Sequence, residues 1–186
     1  MIYRKKRIGL RFVIAGLLIL SSSACSLFTP QPEMTDAEAC VKLKGLIADH
    51  ANNFKQVRKG AAGNSKRAGN MQVWNAERVF PLAQNCQVWE WSSGLTNYYC
   101  AWNESDELEA KASYVRGTEL VNQCLGEQWY TRFTTTKSGG GDVLFYQSEG
   151  KTVISIRYFK EPRTIFDHWK TTIYVGDKSN LKAKLQ

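Results

Sequence analysis

The chain has 186 residues, with 25 Lys and Arg against 17 Asp and Glu and a formal net charge of +8. Five of the basic residues (Arg4, Lys5, Lys6, Arg7 and Arg11) fall in the first eleven positions and every acidic residue lies beyond position 25, so residues 25–186 carry 20 basic against 17 acidic groups, a net +3. That excess is too small for the electrostatic footprint of a nucleic-acid-binding protein, and no nucleic-acid partner is expected.

The basic start is followed by an apolar run, Phe12 to Leu20, and then by the small residues Ser21-Ser22-Ser23-Ala24. This is the order of a secretory leader. Nine apolar residues are far fewer than the roughly 20 that a membrane-spanning helix needs. The stretch Leu20-Ser21-Ser22-Ser23-Ala24-Cys25 resembles the lipobox of bacterial lipoproteins, although Ser22 stands where that family usually has leucine. The resemblance implies cleavage after Ala24, a diacylglycerol thioether on Cys25, and anchorage in a membrane of the cell envelope. Ser26 follows where an aspartate resembles an inner-membrane retention signal, so the outer membrane, facing the periplasm, is the expected location. The expected organisation is a signal peptide over 1–24, a lipidated tether over 25–34 kept extended by Pro30 and Pro32, and one domain over 35–186,.

Lipidation of Cys25 leaves Cys40, Cys86, Cys100 and Cys124, an even number outside the cytoplasm, which reads as two disulfides,. Zinc is the poorer use of four cysteines, because no C-x-x-C pair exists.

In chain order, Thr35-Asp36-Ala37-Glu38 is a capping box that opens an amphipathic helix. Cys40, Leu43, Ile47, Ala51 and Phe54 recur at helical spacing, so the helix is expected over Asp36 to Arg58. The stretch Gly60 to Asn64 then makes a loop with basic neighbours: Lys55, Arg58, Lys59, Lys66 and Arg67. Strands follow at Met71–Phe80, Cys86–Trp91 and Leu95–Trp102. Ser92-Ser93-Gly94 suits a three-residue hairpin with Gly94 in the left-handed region. That register pairs residues whose numbers sum to 186, setting Cys86 opposite Cys100 and leaving Cys40 for Cys124. A second helix is expected over Asp106 to Leu125, capped by Asn103 or Ser105, with Leu108, Ala112, Val115, Val121 and Cys124 inward and Gly126 at its end. Four more strands are expected, at Trp129–Thr135, Val143–Ser148, Thr152–Lys160 and Lys170–Val175. The expected fold is therefore α+β: an antiparallel sheet of about six or seven strands, two amphipathic helices on one face, and two disulfides. The order loosely resembles the type III secretion chaperone-like fold, a resemblance that bears on architecture and not on activity.

Catalytic chemistry is thin. The two histidines are His50, on the first helix, and His168, whose neighbour Asp167 would point to the opposite face of a strand. The acids Glu104, Asp106, Glu107 and Glu109 fall in a first helical turn, where the helix dipole favours them in any case. Gly139-Gly140-Gly141 lacks the following Gly-Lys-Ser/Thr of a phosphate loop. No metal, cofactor or enzymatic activity is expected. The aromatic residues are more informative. Trp89 and Trp91 alternate onto one face of their strand, and the hairpin register adds Tyr99 to it. Val88, Tyr98, Cys100 and Trp102 share the other face. If helices cover only one side, Trp89, Trp91 and Tyr99 form an exposed platform for a partner. The expected function is a non-enzymatic binding or assembly-accessory lipoprotein with a protein partner in the envelope. A periplasmic inhibitor or immunity protein is the alternative, ahead of a peptidoglycan-directed enzyme.

Overall fold

The structure, a computed structural model, describes residues 34–60, 66–104, 106–135, 139–161 and 168–181. The leader, Cys25, the tether up to residue 33, Ser105 and Asp167 lie outside them. The described residues belong to one compact unit beginning at Met34.

That unit is α+β. Helix α1 (Asp36–Asp49) precedes strands β1 (Lys66–Ala68), β2 (Met71–Asn75), β3 (Asn85–Trp91) and β4 (Thr96–Glu104). Helix α2 (Glu107–Cys124) precedes β5 (Tyr130–Thr135), β6 (Gly141–Tyr146), β7 (Thr152–Lys160) and β8 (Trp169–Asp177). All pairings are antiparallel, and the sheet runs β1-β2-β3-β4-β8-β7-β6-β5. The chain thus repeats one plan, a helix followed by a four-stranded meander. The last strands of the two repeats pair at the centre, from Asn97↔Gly176 to Glu104↔Trp169.

Both helices lie on one face. Thr171 donates to the Ala110 carbonyl of α2 at 3.0 Å. Gly117 lets α2 settle close to the sheet, since a Cβ there would stand 3.4 Å from Phe80 and 3.6 Å from Ile156. Helix α1 packs on α2 and is stapled to it by Cys40–Cys124. The core between helices and sheet contains Leu43, Leu46, Phe54, Val88, Tyr98, Trp102, Leu120, Val121, Phe145, Ile156 and Ile173. The second disulfide, Cys86–Cys100, joins directly opposed residues of β3 and β4. Both pairings are those expected from the hairpin register.

Four expectations are corrected. First, the capping box is present, with Glu38 N–H donating to Thr35 Oγ1 and Thr35 N–H to Glu38, but α1 stops at Asp49 and not at Arg58. Asp49 ends it: its carbonyl accepts from Phe54 N–H at 2.9 Å and its Oδ2 from Gln56 N–H at 2.9 Å. The chain reverses there through Asn53 and Phe54, both left-handed, with φ of 60° and 57°. A left-handed Phe costs about 1–2 kcal/mol, and its complete burial offsets that cost,.

Second, the buried face of α2 is only partly the expected one. Val121 and Cys124 are buried as expected, together with Ala110, Gly117 and Leu120, while Leu108, Ala112 and Val115 are exposed. Its N-cap is Asp106, whose carboxylate accepts from Glu109 N–H, and Gly126 does not adopt a left-handed conformation.

Third, the second strand ends at Asn75. The following segment inserts Val79, Phe80 and Ala83 into the core, held by Tyr98, which donates to the Glu77 carbonyl at 2.8 Å and accepts from Val79 N–H. Fourth, Lys66 and Arg67 form a short eighth strand, β1, beyond the seven expected.

Candidate functional site: the helix-free face of the sheet

Because side chains alternate along a strand, the face opposite the helices is fixed by register. One row across it reads Val73, Trp89, Asn97, Gly176, Val153, Tyr146 and Tyr130. The next reads Gln87, Tyr99, Tyr174, Ser155, Leu144 and Arg132. Neither helix reaches this face.

The structure brings two of the three expected residues into contact. Trp89 and Tyr99 stack with ring centroids 4.5 Å apart and planes inclined by 25°. The Trp89 indole N–H donates to Gln87 Oε1 at 2.8 Å. Trp91 lies at the β3 end of the face, where its indole N–H donates to Asn97 Oδ1 at 3.0 Å. The exposure expected of these rings is corrected: Trp89, Trp91 and Tyr99 are half-buried. Burial pushes the Tyr99 hydroxyl up to about 12, with Glu161 adding to the effect and Arg157 opposing it.

Residues that the sequence reading did not single out complete the surface. Tyr174 faces Tyr99 directly across β4 and β8. Its ring leans over Gly176, where an added Cβ would meet the Tyr174 hydroxyl at 2.5 Å and Asn97 Cβ at 2.7 Å. Glycine at 176 is the space the tyrosine occupies. Tyr146 and Tyr174 pack against buried Leu144 and Val153, and Tyr130 meets Tyr146 at 5.8 Å. Asn97 is buried: its oxygen accepts from Trp91, and its amide nitrogen has no hydrogen-bond partner among the described residues. Beside Trp91, where the β1–β2 and β3–β4 turns come together, is a cleft of about 410 Å³ lined by Met71, Gln72, Glu90 and Gly94 among others.

Polar groups border the aromatic rows. Arg157 makes two bonds to Asp142 Oδ2, the shorter 2.6 Å, and Ser155 donates to Asp142 Oδ1 at 2.7 Å. Lys170 pairs with Glu161 at 2.8 Å. An aromatic centre with a charged, internally satisfied margin is the anatomy of many protein interfaces.

The other candidate groups are engaged in structure. Ser113 Oγ donates to Glu104 at 2.6 Å, and Asp106 caps α2. His50 Nδ1 is 2.7 Å from Thr152 Oγ1, and its ring stacks on Phe54 at 5.1 Å. His168 is exposed at the start of β8, its carbonyl accepting from Glu161 N–H. Arg58, expected in a basic loop, instead lies 3.8 Å from the Trp74 ring and pairs with Glu90. Gly139 turns the β5–β6 hairpin with φ of 88°. Among the described residues no group of three or more His, Cys, Asp or Glu side chains could hold a metal ion, and no helix is long and apolar enough to cross a membrane.

No protein-family model, curated protein or solved structure matches this chain.

Proposed function

We propose that the chain is a lipid-anchored protein of the cell envelope whose domain faces the periplasm and binds a partner protein through the helix-free face of its sheet. One observation carries this reading. The side of the sheet that neither α1 nor α2 covers holds a contiguous set of aromatic rings, Trp89, Tyr99, Tyr174, Tyr146 and Tyr130, next to two ion pairs, Arg157–Asp142 and Lys170–Glu161. Such rings offer a large contact area with little side-chain entropy to lose, which is why they dominate interface energetics.

Three further features support it. The leader and Cys25 point to a membrane tether about ten residues long, which would keep the domain within some 35 Å of the bilayer. Two disulfides suit an oxidising compartment,. Of the acids and histidines that could do chemistry, His50, Glu104 and Asp106 are occupied in hydrogen bonding, packing or helix capping.

Capture of partners from envelope extracts tests the reading. The full-length protein should retain a discrete partner that is lost from a Trp89→Ala/Tyr99→Ala double variant. Equal capture by both would place binding elsewhere. A captured hydrolase or toxin would make the protein an inhibitor or immunity factor working through the same face.

A further inference from the structure

The two edges of the sheet are finished differently. At one edge β1 is three residues long and two of them, Lys66 and Arg67, are cationic. At the other, β5 runs from Tyr130 to Thr135 and all six residues are exposed. Natural sheets blunt long edges with proline, lysine, inward charges or bulges. Strand β5 has no proline, no lysine and no bulge, and one charged side chain, Arg132, is all that guards it,. Its register on β6 is continuous from Tyr130↔Tyr146 to Thr135↔Gly141. Among the described residues it pairs with β6 alone. Tyr130 and Phe133 are 55% and 66% exposed.

We propose that this edge is a homodimer interface, in which β5 pairs antiparallel with β5 of a second copy and joins the two sheets into one. An open edge asks for a strand, and the sequence of β5 argues for its own. A two-fold axis perpendicular to the sheet sets each residue opposite one that shares its face, so the pairing must centre on a residue. Only Arg132 and Phe133 are central enough to bring five residues of each copy into register.

Centring on Arg132 would oppose two guanidinium groups directly, which is repulsive. Centring on Phe133 sets Phe133 against its counterpart, Thr131 against Thr135, and Arg132 against Thr134. Thr134 is itself opposite Asp142 on β6. Arg132 of one copy therefore lies in the same row as Asp142 of the other, one strand spacing of about 4.8 Å beyond Thr134. That carboxylate is already fixed by Ser155 and Arg157. The Phe133-centred register thus places ring against ring and directs a cation toward an anion.

Cysteine scanning in the full-length protein tests this pairing. Opposed residues in such a ladder have Cα atoms about 4.5–5.5 Å apart, within disulfide reach. Phe133→Cys should yield a covalent dimer on mild oxidation. Arg132→Cys, and Val41→Cys on the exposed side of α1, should not. Phe133→Lys should turn a dimeric wild type into a monomer with unchanged circular dichroism, since the ring it replaces is exposed. A wild type that stays monomeric at about 100 μM, or Arg132→Cys linking as fast as Phe133→Cys, would overturn the proposal.

Discussion

Trp89 and Tyr99 stack at 4.5 Å because the disulfide between Cys86 and Cys100 lies in the same register of the same hairpin. A slip of one residue would carry Tyr99 into the core and Tyr98 out of it. The staple therefore holds the aromatic pair on the helix-free face. It works together with Gly94, whose φ of 82° closes the turn.

The first prediction separates the two faces by stability. Trp89→Ala and Tyr99→Ala should each cost under about 2 kcal/mol, because a half-buried ring leaves little cavity. Tyr98→Ala should cost about 3–5 kcal/mol, since Tyr98 is fully buried and holds the Glu77–Val79 segment by two hydrogen bonds. Urea melts of the three variants check this. A loss at Trp89 or Tyr99 equal to that at Tyr98 would assign the ring to the core.

The second concerns the staples, whose sequence separations are 14 and 84. Chain entropy gives upper values of about 3 kcal/mol for Cys86–Cys100 and about 4.6 kcal/mol for Cys40–Cys124. Paired serine substitutions should therefore cost more at Cys40/Cys124. Non-reducing peptide mapping of the wild type should recover both linkages.

Much of this architecture is legible in the sequence. Seven of the eight strands, both helices and the β3–β4 register follow from alternation, capping residues and one turn glycine. What escapes reading depends on tertiary contacts. Ahead of Leu120, helix α2 packs through Ala110 and Gly117, small residues that carry little apolar signal, so Leu108 and Val115 mislead, whereas Val121 and Cys124 are read correctly. Val79 and Phe80 look like strand but fill the core from a loop. Trp89, Trp91 and Tyr99 are recoverable from one hairpin, whereas Tyr174 and Tyr146 join them only once β8 and β6 are placed, 75 and 47 positions beyond Tyr99 in the chain.

A third prediction follows from His50, which Asp177 favours in its charged form but whose burial dominates and lowers its pKa below the ordinary 6.5. The folded state thus favours neutral imidazole. The unfolded chain binds more protons below that value, so stability should fall as pH drops through 6.5 and level off below the folded pKa. The loss at Asp177, whose pKa lies below 3.8, comes only in stronger acid. His50→Gln should flatten the first step. Unfolding free energies at several pH values between 4.5 and 8 test the sign, and stability rising on acidification would contradict it.

A fourth concerns the alkaline range. Tyr99 should titrate near 12 in the folded protein, and Tyr98 higher still, with burial the leading cause in both. Stability should accordingly fall as pH rises through 10, where the unfolded tyrosines ionise first. Ultraviolet difference titration of wild type and Tyr99→Phe isolates that group, and ionisation of Tyr99 near 10 would mean it lies in open water.

The anchor gives a fifth. Cys25 should incorporate a fatty-acid probe, and Cys25→Ser should abolish labelling, leaving an uncleaved or soluble product. An unlabelled wild type would remove the lipid tether from the account while leaving the sheet face intact.

Site-specific photocrosslinking tests the central claim, partner binding through the helix-free face, most directly. A photoreactive residue is placed at Trp89, at Tyr174 or at Val41 in the full-length protein in intact cells. Val41, 72% exposed on α1, reports on the opposite side of the domain. Binding through the aromatic face predicts one discrete adduct from Trp89 and Tyr174 and none from Val41. No adduct at the sheet face, or the same adducts from all three positions, would contradict it.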